Sequence, residues 1–504
     1  MISHKLTRRN LLGAFASGSA VLVLAPILSG CSSAAATPTA APAATPASAP
    51  TAQPTTAASK PTVAAQPTTA ASPVANPTAA ATPVASSKVV KLTNVEDDSR
   101  PLDNQAYANV YKAFQAKYPN IQIDFQILPW EQAEAKERTM AQANNLPDMG
   151  RAAYAPDLVK LNGMVPLDDL VKPAYLDRYP KSWIPTLSLN GPDNKQHLYA
   201  ISSFAGDKAI LVNKTYFDKA GIKLPDTWTT TQFADYAKQL TTKGKVWGVS
   251  LDAAGVGDPW QNFWLCVRAF GGGLIKGNTL DSKTPEAITI NSKEFAAGAT
   301  WWRDLYKNGW AVPSAPTDTY QQRDSNFMSG KAAIMWQGPW SLIAQSDALK
   351  QQGWEMAAMP LPQGPAGNSQ GPSLAGTYGI FSTAQTHGVV DEAFSWISFL
   401  CSDQGETIYC STNGMLPSSQ ALWKLPQFGG NPLYSGYIKG FSGGSPDYPI
   451  WATSAGVSTI FDQKGVPMMQ GLLLNQLTPE QMAQQLQTEV VTFLTNNGLK
   501  LPSA

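Results

Sequence analysis

Val89-Val90-Lys91-Leu92-Thr93-Asn94-Val95 and Ile121-Gln122-Ile123-Asp124-Phe125-Gln126-Ile127, with Tyr107, Val110, Tyr111, Phe114 and Tyr118 between them, decide the fold of this chain. The first segment reads as a strand. The five large residues that follow fall on one face of a helix. Pro119-Asn120 stops that helix, and Ile121, Ile123, Phe125 and Ile127 alternate as a second strand. A second amphipathic helix runs from about Glu131 to Asn144. This β-α-β-α order predicts an α/β protein with a doubly wound sheet, in which ligands bind beyond the carboxyl ends of the strands.

Further helices follow downstream. Phe233, Tyr236, Ala237 and Leu240 mark one, started by Thr229 or Thr230; Phe295 to Tyr306 and Asp391 to Leu400 mark two more. Thr478-Pro479-Glu480-Gln481 is a capping box with Pro at the first helical position, opening a terminal helix that carries Met482, Leu486, Val490 and Phe493. The loops are rich in Gly and Pro, notably Pro360 to Gly371, and the sequence holds no internal repeat.

Upstream, the chain changes character. Lys5, Arg8 and Arg9 precede an apolar run from Leu11 to Leu28, then Ser29, Gly30 and Cys31. That is the layout of a signal peptide over residues 1–30. Leu28-Ser29-Gly30-Cys31 resembles a bacterial lipobox, which implies lipidation of Cys31 and a place on the outer face of the cytoplasmic membrane. The apolar run is also about as long as a membrane span, so an uncleaved anchor is the rival reading. Thr7-Arg8-Arg9-Asn10-Leu11-Leu12 resembles a twin-arginine export motif. Residues 31–87 hold the Cys so implied to be lipidated and a tract that is almost all Ala, Thr, Pro, Ser and Val, with one charge at Lys60. The tract has nothing with which to build a core and is expected to be disordered. Its prolines favour an extended spacer, with a full reach on the order of 170 Å.

The remainder, from about Lys88 to Ala504, exceeds the size at which single cores divide in two. The formal net charge is +1 for the whole chain, with no basic stripe. This argues against nucleic acid and against a polybasic membrane patch. Cys266, Cys401 and Cys410 match no metal spacing. A Cys401–Cys410 disulfide and buried free thiols are the two readings of the last pair. The histidines number three, His4, His197 and His387, and are too scattered for a metal site or a catalytic triad. No cofactor is implied. There are 15 Trp, all between Trp130 and Trp451. That is more than core filling usually requires, and it suggests a cleft that binds flat or ring-shaped ligands.

Several blocks, in order, resemble the large extracellular solute-binding proteins of ABC importers, in particular the sugar-binding, maltose-binding-protein-like family. They are Tyr118-Pro119-Asn120-Ile121-Gln122-Ile123; Leu146-Pro147-Asp148-Met149; Leu161 to Leu170; Leu198-Tyr199-Ala200-Ile201; Leu211 to Phe217; and Ala220-Gly221-Ile222 with Pro225 and Thr227-Trp228. The sharpest runs from Phe327 to Trp340, ending Trp336-Gln337-Gly338-Pro339-Trp340. Val212, where a Tyr is usual, and Thr229-Thr230-Thr231, where acidic residues are usual, depart from the pattern. The resemblance spans Lys88 to Ala504. It implies a two-lobed periplasmic-binding-protein fold (type II-like), each lobe a mixed sheet flanked by helices. Lobe 1 is expected over 88–203 plus about 375–415, and lobe 2 over 206–372 plus about 418–504. The crossings fall near Ser202–Gly206, Gly371–Ala375 and Asn413–Pro417. A monomer that captures a sugar between hinging lobes and delivers it to the permease subunits of an ABC transporter is the function so implied.

A neutral sugar has C–H-rich faces that stack on aromatic rings and a belt of hydroxyls that needs planar polar partners. Trp340 is the first candidate platform. It matches the stacking aromatic of the family, and Gly338-Pro339 is placed to end a strand and start a helix. Asp258-Pro259-Trp260 resembles a cleft-lining segment of the family; the rival reading is a capped helix start with a core Trp. Trp451 is a third platform candidate. Glu96, Asp97, Asp98 and Arg100 follow the first strand, where the family places polar contacts. Arg151 and Tyr154 follow the Pro-Asp strand, Asp207 sits at the lobe crossing, and Gly376, Thr377 and Tyr378 precede a strand. Asp168-Asp169 reads as capping in a turn. Two rival functions stay open. One is a secreted glycoside hydrolase, which also uses tryptophans and carboxylates, although no carboxylate pair stands out. The other is the same fold presenting ligand to a membrane sensor.

Overall fold

The computed structural model describes residues 88–153, 155–206, 208–274, 288–371, 373–443 and 457–496. Residues 1–30, read above as a signal peptide, Cys31 and the Ala/Pro/Thr tract lie outside the described residues, as do Tyr154, Asp207 and Trp451.

Strands Val90–Glu96 and Ile121–Ile127 pair in parallel, joined by helix Pro101–Lys117. Pro101 sits where a helix has no use for a backbone N–H. Tyr107, Val110 and Phe114 turn to the core, as their spacing predicts. The second helix, Trp130–Gln142, starts one residue earlier than expected and ends two earlier. Met149–Arg151 pairs in parallel on the other side of Val90–Glu96. Thr377–Ile380 and then Ile201–Ser202 extend this sheet antiparallel, giving five strands. Trp396, fully buried on helix Val390–Leu400, meets Phe114, Phe125 and Tyr111 edge-on at 5.2, 5.5 and 6.1 Å between centroids. Such T-shaped contacts suit the ring quadrupole.

A second sheet has four strands, in the order Met356–Met359, Ala209–Asn213, Ala332–Gln337 and Trp247–Ser250. The last two run parallel; Ala209–Asn213 is antiparallel to both its neighbours. Helix Thr230–Leu240 packs there. Thr229 caps it in a reciprocal box with Gln232, which satisfies two otherwise orphaned N–H groups. Phe233 from this helix lies 4.9 Å from the Trp336 ring and 5.3 Å from Trp228, and Trp228 donates its indole N–H to the Pro360 carbonyl at 2.7 Å. The fold is therefore the two-lobed α/β class, with each lobe a mixed sheet flanked by helices.

Three short strands connect the sheets. Phe204–Gly206 pairs antiparallel with Ser373–Leu374 on one side and with Leu416–Pro417 on the other. These are the segments read as crossings. A charge pair braces the third: half-buried Arg178 lies 3.0 Å from buried Glu406, whose carboxylate accepts from the Ser418 hydroxyl (2.6 Å) and the Ser419 N–H (3.0 Å). Beyond the third crossing, Trp423, Phe428, Tyr437 and Phe441 join the first core. Phe461, Val466, Met469 and the terminal helix join the second.

The abundance of Trp is explained mostly by these cores. Among the described residues eight tryptophans are buried, including Trp183, Trp228, Trp302, Trp336 and Trp396, so the count alone overstates the ligand surface. Cys266, Cys401 and Cys410 are buried free thiols. No helix among the described residues is long and apolar enough to cross a membrane.

Trp396→Ala empties the most aromatic part of the first core. It should lower unfolding free energy by ~3–5 kcal/mol. Thr478→Ala removes the hydroxyl that accepts from the Gln481 N–H at 3.2 Å, and should cost ~1 kcal/mol. Guanidinium titration of both variants checks the contrast.

Candidate functional site

A cavity of about 640 Å³ lies between elements of the two sheets, beyond the carboxyl ends of their parallel strands. That volume falls within the range of small-molecule sites.

One wall grows from the ends of Val90–Glu96 and Met149–Arg151. Asp97, Asp98, Arg100 and Arg151 all line it. Asp98 bridges two arginines, accepting from Arg151 Nη1 and Arg100 Nη2, each at 3.1 Å. Arg100 also donates Nε to Asp103 at 2.6 Å. Arg151 lies over the Phe204 and Tyr378 rings, at 5.1 and 5.7 Å. Its Nε is 3.4 Å from Asp97, whose two carboxylate oxygens make no hydrogen bond. Burial pushes Asp97 up to about 6, against the pull of Arg151.

Glu96 belongs to a different layer. Residues two apart on a strand share a face, and Glu96 accepts from the Asn94 amide at 2.7 Å and from the Tyr378 hydroxyl at 3.3 Å. Tyr378 continues to Tyr107, and Tyr107 to Tyr409, at 3.0 and 3.1 Å. Glu96 and Tyr378 are fully buried and are not among the cavity-lining residues. Burial lifts Glu96 to about 8. Thr377 lines the cavity, whereas Gly376 lies against the Phe204 ring, which a Cβ there would strike at 2.3 Å. Asp168 accepts from the Leu198 N–H at 3.3 Å and pairs with His197 at 3.0 Å, apart from the cavity.

The opposite wall carries Trp340. Strand Ala332–Gln337 ends at Gly338, Pro339 opens a short 3-10 turn over Pro339–Ser341, and helix Leu342–Gln351 follows. The indole folds back over Gly338, where any Cβ would lie 2.1 Å from it. Only glycine permits that approach. Asp258 and Trp260 also line the cavity. Asp258 starts helix Asp258–Ala269 behind Gly257 (φ 65°) and pairs with Lys208 and Arg323. Trp260 is 3% exposed and stacks on Phe461 at 4.4 Å, so most of its surface goes to packing.

Two further residues, Trp130 and Lys208, line the cavity without a role expected from the sequence. Trp130 opens helix Trp130–Gln142 from the first lobe. Its signal is the one that marked Trp340: a Pro-Trp pair just past a strand. Lys208 follows the crossing strand and is 2% exposed; nothing in the sequence distinguishes it from a surface lysine. Around the cavity the lobes touch. Gln321 donates to Glu131 at 2.6 Å and Thr459 to Glu134 at 2.9 Å.

Together these features place one lined cavity between two α/β lobes. The sequence profile of the bacterial extracellular solute-binding protein family matches residues 98–407, and the chain belongs to that family. A Brucella abortus protein described as a binding protein is 23% identical over 374 residues, covering 72% of this chain and 86% of the relative. The maltotriose-binding protein of Pyrococcus abyssi is 24% identical over 283 residues, covering 55% of this chain and 54% of the relative. Among solved structures, the GacH receptor of Streptomyces glaucescens, studied unliganded and with acarbose, superposes with a TM-score of 0.68 at 19% identity; the match covers 81% of this chain and 98% of that one. A maltose/maltodextrin-binding domain from Bdellovibrio bacteriovorus, bound to maltotriose, gives 0.65 at 18% identity, covering 81% and 100%.

The Glu96 layer has a consequence for stability. Glu96 keeps its proton to about pH 8 in the folded protein, against an ordinary value of 4.5. Its contribution is complete below the ordinary value and is lost as pH rises through the folded one, at up to ~1.4 kcal/mol per pH unit. Glu96→Gln, which cannot titrate, should flatten the decline between pH 5 and about 8. Denaturant melts of both proteins across that window check the difference in slope.

Proposed function

We propose that this chain is the lipid-anchored receptor of an ABC importer, which captures a sugar or oligosaccharide between its lobes and passes it to a membrane permease. The observation that carries the reading is the makeup of one cavity. Trp340 from the second lobe and Trp130 from the first offer ring faces for C–H-rich sugar surfaces. Asp97, Asp98, Arg100 and Arg151 offer planar donors and acceptors for hydroxyls. Ligand groups that touch both lobes favour the state with the lobes together. The sugar-binding relatives and structural neighbours support the same substrate class.

Two carboxylates of the cavity, Asp98 and Asp258, are committed to cations, which supports binding over hydrolysis at those positions. Asp98 is shared between two arginines and Asp258 between Arg323 and Lys208, whereas a glycosidase keeps one carboxyl protonated and another free to attack or to activate water. Cys31 would carry the lipid, and the Pro-rich tract would hold the receptor clear of the bilayer while leaving it free to hinge.

Calorimetric titration with maltotriose and a panel of mono- and oligosaccharides tests the reading. Stoichiometric binding is expected, with the sugar recovered intact. Trp340→Ala should weaken the best ligand at least ~30-fold, about 2 kcal/mol, with little change in melting temperature. Unchanged affinity would remove Trp340 from the site, and release of shorter sugars would favour the hydrolase.

A further inference from the structure

A buried charge network reaches Trp340 from two sides. Lys208, just past the crossing strand Phe204–Gly206, holds its ammonium 4.4 Å from the centroid of the Trp340 ring. The same ammonium pairs with Asp258. Asp258 pairs in turn with Arg323, which is 1% exposed and meets Asp252 at 3.1 Å and Asp324 at 2.8 Å. Asp324 accepts from the Gln337 amide at 2.8 and 2.9 Å. Gln337 Oε1 then accepts the N–H of Gly338 at 2.9 Å. Gly338 is the residue over which the indole folds. The path therefore leaves the ring through Lys208 and returns to the backbone that carries it.

Such a network is a poor device for stability alone. Desolvating two cations and three carboxylates consumes most of what their attraction returns, and well-packed apolar residues do as well or better. What a fully engaged network does provide is geometry: each member has one arrangement that satisfies the rest. Burial works against the charge on Lys208, and Asp258 is what sustains it. A desolvated cation over an indole is attracted to the ring face. We propose that Lys208 is the positioning residue of the site, fixing the Trp340 ring relative to the crossing strand, so that the aromatic platform is set before ligand arrives. This rests on the reading of Trp340 as a ligand platform.

A double-mutant cycle with Lys208→Met, Lys208→Arg and Trp340→Ala tests it, with maltotriose as ligand. Lys208→Met should weaken binding about tenfold, and Lys208→Arg should restore most of the loss. In the Trp340→Ala background, Lys208→Met should change affinity by less than about twofold, because the two residues act as a unit. An equal loss in both backgrounds would make Lys208 merely structural. Unchanged or tighter binding in the single variant would make it an occupant of the platform. Both results overturn the proposal.

A ligand-free readout separates this proposal from the sugar reading. In protein labelled with 5-fluorotryptophan, the fluorine resonance missing from Trp340→Ala reports on Trp340. It should shift or broaden in Lys208→Met and return in Lys208→Arg. An unmoved resonance refutes the positioning role whatever the ligand is, and a wild type that binds no sugar refutes only the substrate. If Lys208→Met does not fold, Lys208→Met with Asp258→Asn removes one charge of each sign and takes its place in both experiments.

Discussion

Three crossings of the chain between its two sheets constrain the rest of the molecule. Because Ser373–Leu374 and Leu416–Pro417 both pair with Phe204–Gly206, the crossings form one narrow sheet instead of three independent linkers. Main-chain pairing limits how the lobes can move to rotations that the sheet tolerates, as in hinge closure about a few element-terminal residues. It also dictates where the cavity lies. Parallel strands of both lobes end toward the same gap, and the loops after them are free of ladder bonds and able to carry function. Glu406 and Arg178 brace the third crossing through Ser418 and Ser419, which ties helix Asp403–Asn413 to the hinge.

The walls of the cavity solve one electrostatic problem in two ways. In the first lobe, Asp98 is divided between Arg100 and Arg151, while Asp97 keeps its hydrogen-bonding capacity unspent. In the second, the charges are drawn beneath the aromatic platform and satisfy each other almost completely. Planar groups near one wall and a ring on the other are what the proposed sugar ligand would require. Fixing them before binding removes part of the ordering cost of association.

Much of this was legible in the residues. The alternation of Ile121 to Ile127 and the helical spacing of Tyr107 to Phe114 produced the elements they predict, and Thr229 and Thr478 cap where their spacing says. Gly338-Pro339-Trp340 was readable because a strand end, a forced turn and a large ring leave few arrangements. The acidic run after the first strand was not readable in detail. Glu96 and Asp97 are neighbours, so their side chains take opposite faces, and only the register of the finished sheet decides which meets the cavity. Lys208 was invisible for a different reason: its burial depends on Asp258 and Arg323, 50 and 115 positions further along the sequence. Tryptophan abundance misled in part, since two aromatic cores absorb eight of them.

The central claim is that ligand draws the two lobes together about the crossing sheet. Spin labels introduced by Lys136→Cys on helix Trp130–Gln142 and Ser325→Cys on helix Tyr320–Met328 place one exposed probe on each lobe; the thiols among the described residues are buried, and Cys31→Ser removes the remaining one. Pulsed electron–electron resonance should show a broad distance distribution without sugar that narrows to its short end when maltotriose is added. A distribution that stays the same at saturating sugar, with binding verified by calorimetry on the labelled protein, would contradict the account.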